Sequence, residues 1–321
     1  MTFAHHDQTI RVAVLGPLGT YTHEAAHKVF GDSVDYEEQT TISGMNSRQI
    51  RCAVVELLTY ILDTLRAVQE TAPIGVVPQE NTIFGNVIET YDELRQADCC
   101  FVKGEVTLQI QHCLLVQRGV QLHEIEKVLS HEQALGQCQD YLDAKLPNAT
   151  RVKASSTASA AQALLTSPRN YAAICSKVCA TIFDGLEILK EGIQKETDNY
   201  TRFYIVVRDR DVQLPATAPH RPKSKALIRL WISSSRPSGL QRQDVIQFLA
   251  PSGLNVTRID RRPSDDGLPF RDIYFVETAS TPDESLRPEG TSAIRSWPAV
   301  VADALELIKN MGGEVDLIGL W

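Results

Sequence analysis

A few short stretches carry polar side chains at places where a core would not need them. "PQEN" sets Glu80 and Asn81 directly behind the apolar run Ile74–Val77. "NYTRFYIVV" sets Thr201 and Arg202 at the lip of another, with Phe203 opening a run that reads as a strand buried on both faces. Arginine is rarely buried unless paired, so Arg202 marks either a solvated strand end or a ligand contact. "SHEQALGQ" places Gln133 and Gln137 one turn apart, where two amides can address one ligand, with Ser130 ahead of them. "SST", residues Ser155, Ser156 and Thr157, is a second hydroxyl-rich start. "GPLGT" presents backbone N–H groups at Gly19 and Thr20 ahead of a helix, at its positive end. It is neither a Walker loop nor a G-x-G-x-x-G turn. Each helix start also reads as an ordinary cap, and Ser130-x-x-Gln133 has the capping-box form. Jointly these groups form an inventory of amides, hydroxyls, one guanidinium and one carboxylate. Such a set suits a polar small molecule bearing a carboxylate. No metal-ligand spacing and no cofactor fingerprint accompanies it.

The elements that must position these groups alternate. "IRVAVL", "PIGVVPQEN", "IEKVL", "ATRVK" and "YAAIC" read as strands, and most are followed by a helical pattern. "PIGVVPQEN" is expected to break at Pro78. Alternation of this kind means an α/β fold with a largely parallel sheet. Strand carboxyl ends and helix amino ends share one edge of such a sheet, and that edge is where small ligands bind. Residues 210–224 are rich in proline and polar side chains and read as a linker. The rhythm beyond is β-α-β-β-α-β, a ferredoxin-like unit.

Composition narrows the function classes. The chain has 321 residues, 43% hydrophobic and 22% charged, which is ordinary for a globular protein with ample core. A net charge of -8 argues against nucleic acid as a partner, while a small anion feels only local charge. Seven cysteines without a C-x-x-C pair read as reduced core thiols of a cytoplasmic protein. The opening "MTFAHHDQTI" lacks the basic and apolar regions of a secretory signal, and no apolar run reaches membrane-spanning length.

"GPLGTYTHEAA", "GVVPQENTIFGNV", "QHCLL", "SHEQALGQC", "SST" and "NYTRF" follow one another as the motifs of prephenate dehydratases do. The chain resembles that family over roughly residues 11–208, and its last unit resembles the ACT regulatory domain that follows there. The resemblance implies loss of carbon dioxide and the ring hydroxyl from prephenate, giving phenylpyruvate in L-phenylalanine biosynthesis. It implies a catalytic domain over 9–209 like a type II periplasmic binding protein. One lobe would take about 9–84 and 183–209, the other about 85–182, with ligand in the cleft between them. The ACT domain would take 225–321, and cutting near Pro222 would leave a catalytic fragment. By this resemblance Thr201 is the principal catalytic residue, joined by Glu80 and Asn81. Arg202 would grip a substrate carboxylate, with Thr82, Ser130, Gln137, Ser155, Ser156, Thr157, Phe203, Gly19 and Thr20 around the substrate. No cofactor or metal is implied. Phenylalanine would act as effector at Ser238, Gly239, Leu240 and Asn255, in a homodimer or homotetramer.

Ser238 and Gly239 stand where the family has Gly and Ala, which bears on that effector site. Gly44–Leu62 interrupts the family pattern. It reads either as a helical insertion or as a translated short intron, with a helix from about Cys52 in both cases. An arogenate dehydratase, or a cleft-type ligand sensor without turnover, would use the same motifs.

Overall fold

The computed structural model describes residues 9–39, 53–96, 100–215, 224–231, 242–265, 271–280 and 296–321. Ser238, Gly239, Leu240 and the start of the Gly44–Leu62 segment lie outside them. The described residues fall into two compact units. One lies within Met1–Val87, Glu105–Ile205 and Gln213–Ala218, the other within Ile88–Gly104, Val206–Val212 and Pro219–Trp321. Among the described residues no helix is long and apolar enough to cross a membrane.

The first unit begins with β1 (Arg11–Leu15), whose Val12, Ala13 and Val14 are fully buried. Helix α1 (Tyr21–Phe30) follows, capped by the Thr20 hydroxyl. β2 (Asp35–Gln39) lies parallel to β1 on one side, and β3 (Ile74–Asn81) lies parallel on the other. Between them α2 (Ala53–Glu70) buries Ile61, Leu65 and Val68, and it begins one residue from the expected start. Pro78 does not break β3. Pairing with β1 ends at Val76, so the missing N–H leaves no gap in that ladder. β4 (Gly85–Asn86) folds back antiparallel on Glu80 and Asn81. The chain then supplies α3 (Ile88–Leu94) and the first part of β5 (Phe101–Gln109) to the second unit.

The second sheet of the first unit holds β6 (Cys113–Gln117), β7 (Lys127–Ser130), β8 (Thr150–Lys153), β9 (Tyr171–Cys175) and β10 (Leu186–Lys190). Their order is β10-β6-β9-β7-β8. α4 (Glu132–Gln137), α5 (Gln139–Lys145), α6 (Thr157–Leu164) and α7 (Val178–Ile182) surround it. Both faces are covered, which explains the unbroken apolar strands. Leu114, Val116, Ala172 and Ile174 face one core, while Cys113, Leu115, Ala173 and Cys175 face the other. β11 (Tyr200–Val207) returns to the first sheet beside β3. The two segments that join the sheets bind each other. Ile110 N donates to Asn199 O at 2.8 Å, and Ile193 N donates to His112 O at 3.0 Å.

The second unit contains β12 (Lys225–Trp231), α8 (Arg242–Leu249), β13 (Val256–Pro263), β14 (Asp272–Ala279), α9 (Trp297–Asn310) and β15 (Glu314–Leu320). Its antiparallel order β13-β14-β12-β15 is the ferredoxin-like one that the rhythm implies. Helix α3 belongs to this unit. Tyr91, 1% exposed, packs its ring 5.1 Å from Phe275 and donates its hydroxyl to Asp260 at 2.8 Å. Arg262 grips Asp92 with two hydrogen bonds of 2.7 and 2.8 Å. Arg229 donates to the Arg95 carbonyl at 2.8 Å and pairs with Asp316 at 2.6 Å. A cut near Pro222 would therefore uncover Tyr91 and Leu94, so the first part of the chain is no simple excisable fragment.

Two positions in α1 and its turn test this packing. Gly19 has φ +99°, and a Cβ there would stand 2.8 Å from Cys179 Sγ and 3.3 Å from Ala158 Cβ. We expect Gly19→Ala to cost about 1–3 kcal/mol in thermal or denaturant melts, from strain and overpacking together. An unchanged melt would mean that the turn can adopt another path. Glu24 is 7% exposed with one oxygen lacking a partner, and burial pushes its carboxyl from 4.5 up to about 7, with Lys177 opposing. The folded chain therefore holds this proton over pH 4.5–7 while the unfolded chain releases it, so this contribution to stability falls as pH rises through that window. Glu24→Gln should melt higher than wild type at pH 8 and lose that advantage near pH 4. Equal melts at pH 8 would contradict the burial cost.

Candidate active site

The corner where β3 meets the start of β11 is organised by one amide. Asn81 Nδ2 donates to Thr201 Oγ1 at 2.9 Å and to Asn199 Oδ1 at 2.7 Å. Its Oδ1 accepts from Ile83 N at 2.9 Å and Phe84 N at 3.0 Å, which shapes the β3–β4 turn. Thr82 completes the bond between the strands. Its hydroxyl donates to Asp198 O and accepts from Tyr200 N, both at 2.9 Å. Thr201 is 9% exposed, and its oxygen is already an acceptor for Asn81. The hydroxyl proton is thus directed away from Asn81.

Arg202 points to the other face of β11, as strand alternation requires. Its Nε donates to Gln79 Oε1 at 2.7 Å and lies 3.3 Å from Glu80 Oε1, and its Nη1 lies 3.3 Å from Glu105 Oε2. Two carboxylates already meet this guanidinium and would repel a third. The expected carboxylate-gripping role therefore gives way to holding β3, β5 and β11 together. Glu105 escaped the sequence reading because it lies inside an alternating strand pattern.

Several expected contacts are used internally. Leu18 N donates to Glu38 at 3.0 Å, Gly19 N to His23 Nδ1 at 3.0 Å, and Thr20 N to Pro17 O at 3.3 Å, so the "GPLGT" turn is no open anion cradle. The Thr20 hydroxyl donates to Leu15 O at 2.9 Å. Ser130 is fully buried and donates to Ile174 O at 2.6 Å. His131, not Ser130, caps α4 by accepting from Gln133 N. Ser156 forms a reciprocal capping box with Ser159, Ser155 Oγ lies 2.9 Å from Ser159 Oγ, and Thr157 begins α6. Phe203 is buried in the core. The cap reading holds at α6 through Ser156, while at α4 the expected Ser130 capping box is replaced by His131.

A cavity of about 350 Å³ opens beside this corner, lined by Phe84, Gln133, Gly136, Gln137, Asp140, Lys195 and Glu196. Phe84 leads into it from the Asn81-shaped turn, 65% exposed. The two amides one turn apart on α4 do share a ligand-sized space, as their spacing implied. Behind Gln137 lies a buried chain of polar groups. His112 Nε2 is 2.6 Å from Gln137 Oε1, and His112 Nδ1 is 2.5 Å from the Tyr21 hydroxyl. Burial lowers the imidazole pKa, with the Gln137 hydrogen bond opposing, and burial raises that of Tyr21 well above its ordinary value. Both groups are therefore neutral at neutral pH. "QHCLL" contains His112, yet nothing in its spacing marked it out. Among the described residues no group of three or more His, Cys, Asp or Glu side chains could hold a metal.

Comparison with known proteins bears on this site. The family model for prephenate dehydratase matches residues 12–211. A bifunctional chorismate mutase/prephenate dehydratase of Pseudomonas aeruginosa is 32% identical over 274 residues, 84% of this chain and 66% of that protein. The chain thus spans just under two thirds of that relative. A prephenate dehydratase of Bacillus subtilis is 28% identical over 97% of this chain and 98% of its own length. The crystal structure of a prephenate dehydratase from Arthrobacter aurescens, in complex with L-Phe, superposes with TM-score 0.66 at 26% identity, covering 97% of this chain and 89% of that one. The two-sheet first unit thus has the periplasmic-binding-protein-like fold of those structures. On the match of a family model through both the Asn81 and the Thr201 strands, the chain belongs to the prephenate dehydratase family.

Proposed function

We propose that the chain is a prephenate dehydratase acting in L-phenylalanine biosynthesis in the cytoplasm, with residues 225–321 as its ACT regulatory domain. The observation that carries the reading is the Asn81–Thr201 hydrogen bond beside the cavity. In the reaction the bond from the ring to its carboxylate breaks, and that electron pair enters the ring as carbon dioxide leaves. The pair displaced across the ring breaks the bond to the hydroxyl, whose oxygen takes one proton and departs as water. The ring that remains is aromatic, so the barrier lies in expelling oxygen. Thr201 donates a hydrogen bond to that oxygen as charge grows on it. Its hydroxyl is too weak an acid to surrender the proton, which comes from solvent. Asn81 strengthens the donor by hydrogen-bonding to its oxygen. Gln133 and Gln137 supply donors for the substrate's carboxylates, while Lys195, paired with Asp140 at 3.4 Å, offsets the charge of Asp140 and Glu196 in the lining. Arg202 and Glu80 hold the corner rigid.

Phenylalanine is assigned as effector, bound near Ser238, Gly239, Leu240 and Asn255 where ACT domains of two copies pair. The L-Phe complex of the Arthrobacter relative supports this. Inside the second unit α3 is held to β13 by Tyr91–Asp260 and Asp92–Arg262, and the chain runs directly from Asn81 through Val87 into α3. That continuity offers effector binding a covalent route to the Asn81 turn.

Incubating the chain with prephenate or arogenate and following phenylpyruvate or phenylalanine tests the activity and separates the two dehydratases. We expect Thr201→Ala to lower kcat by about 10² or more while costing only about 1 kcal/mol in stability. Near-normal kcat would refute the role, and no turnover of either substrate by wild type would favour the ligand sensor. Arg262→Ala should leave kcat within about twofold and raise the half-inhibiting phenylalanine concentration at least about fivefold. Unchanged inhibition would remove α3 from the route.

A further inference from the structure

Tyr21 and His112, in a row behind Gln137, have no part in the chemistry just described, yet the row is built with care. His112 is 4% exposed. Its backbone is fixed on the crossing segments: His112 N donates to Gln194 Oε1 at 2.9 Å, and its carbonyl accepts from Ile193 N at 3.0 Å. Its ring touches one group from each side of the unit. Tyr21 comes from the first turn of α1, and Gln137 comes from the last turn of α4, where it lines the cavity.

The proton inventory of this row is restrictive. A neutral imidazole carries one N–H, so one ring nitrogen donates and the other accepts. With Nε2–H donating to Gln137 Oε1 at 2.6 Å, Nδ1 is left as an acceptor 2.5 Å from the Tyr21 hydroxyl, which also has the Gln111 carbonyl as an acceptor at 3.2 Å. The amide of Gln137 is then fixed with its oxygen inward, and its NH₂ is turned toward the cavity. With the other tautomer the amide would turn over and offer the cavity a carbonyl oxygen. A carboxylate would be repelled by that oxygen and held by the NH₂.

We propose that His112 is a positioning residue, which through its Nε2–H sets the Gln137 amide as a donor to a carboxylate of the substrate. The inference rests on the dehydratase reading. Gln137 touches the ligand, and His112 acts on it alone. Tyr21 closes the far side of the ring, its hydroxyl lying 2.5 Å from His112 Nδ1 and 3.2 Å from the Gln111 carbonyl.

Steady-state kinetics of His112→Gln and His112→Asn test this, because their amides replace different ring nitrogens. In His112→Gln the side-chain NH₂ stands near the Nε2 position and keeps the bond to Gln137. In His112→Asn it stands near Nδ1 and reaches only Tyr21. We expect KM for prephenate to rise about tenfold in His112→Asn with kcat within about twofold, and to stay within about twofold of wild type in His112→Gln. The double variant His112→Asn/Gln137→Ala should match Gln137→Ala alone. Equal KM changes in the two His112 variants, or multiplying effects in the double variant, would overturn the proposal and leave the dehydratase reading standing. Absence of turnover of prephenate and arogenate by wild type would overturn both. If the variants do not fold, the ¹⁵N spectrum of the wild-type imidazole decides: a neutral ring protonated at Nε2 supports the proposal, and protonation at Nδ1 overturns it.

Discussion

One side-chain amide fixes the site. Asn81 satisfies acceptors at the start of β11 with its NH₂ and donors in the β3–β4 turn with its oxygen, so strand, turn and the Thr201 hydroxyl are set by a single planar group. Its bonds to Asn199 and Thr201 are partly withdrawn from water, and a buried polar group left without a partner costs about 1–3 kcal/mol. Any displacement of β11 along β3 would therefore leave several such groups unmatched at once. The register of the two strands follows from this, and the Thr201 hydroxyl is held with its proton turned away from Asn81. Thr82 repeats the device one residue on, donating to one strand atom and accepting from another.

Charge is handled separately. Arg202 sits among Glu80, Glu105 and Gln79 on the opposite face of β11, where it neutralises the strand ends. In the first unit burial moves several polar groups toward their neutral forms. Burial keeps His112 uncharged, holds the His23 pKa down to about 4 and lifts that of Glu24 to about 7. In a poorly polarisable interior such groups define geometry without paying for desolvated charge. The cavity, by contrast, mixes two amides with Lys195, Asp140 and Glu196, and Lys195 pairs with Asp140 at 3.4 Å.

Much of this was legible in the sequence, for identifiable reasons. Strands covered on both faces, such as Cys113–Gln117 and Tyr171–Cys175, announce themselves as apolar runs, and every helix with a long apolar stripe was expected. Asn81, Thr82 and Thr201 come together as their positions at strand ends implied. The edge strand Asp35–Gln39 was not legible, because it pairs only with β1 and buries little, so its sequence has no apolar alternation. α3 was missed too, being short and packed on a sheet more than a hundred residues away. Sequence also shows that a hydroxyl or amide exists at a helix start, but not whether a cap has already claimed it. Ser130, Ser156, Gly19 and Thr20 are of that kind, and the structure gives each an internal partner. His112 is the converse case, since its role depends on two partners that no local pattern links to it.

The central claim is that Asn81 works through the Thr201 hydroxyl. Asn81→Asp keeps the oxygen that holds Ile83 and Phe84 and replaces the donor to Thr201 with a carboxylate oxygen, while Thr201→Val removes the hydroxyl. The direct test is a double-mutant cycle in kcat for prephenate dehydration with these two substitutions. The account predicts strong coupling, with the double variant no slower than Thr201→Val by more than about threefold. If the two losses multiply in full, Asn81 and Thr201 act independently, and the account of the site is wrong.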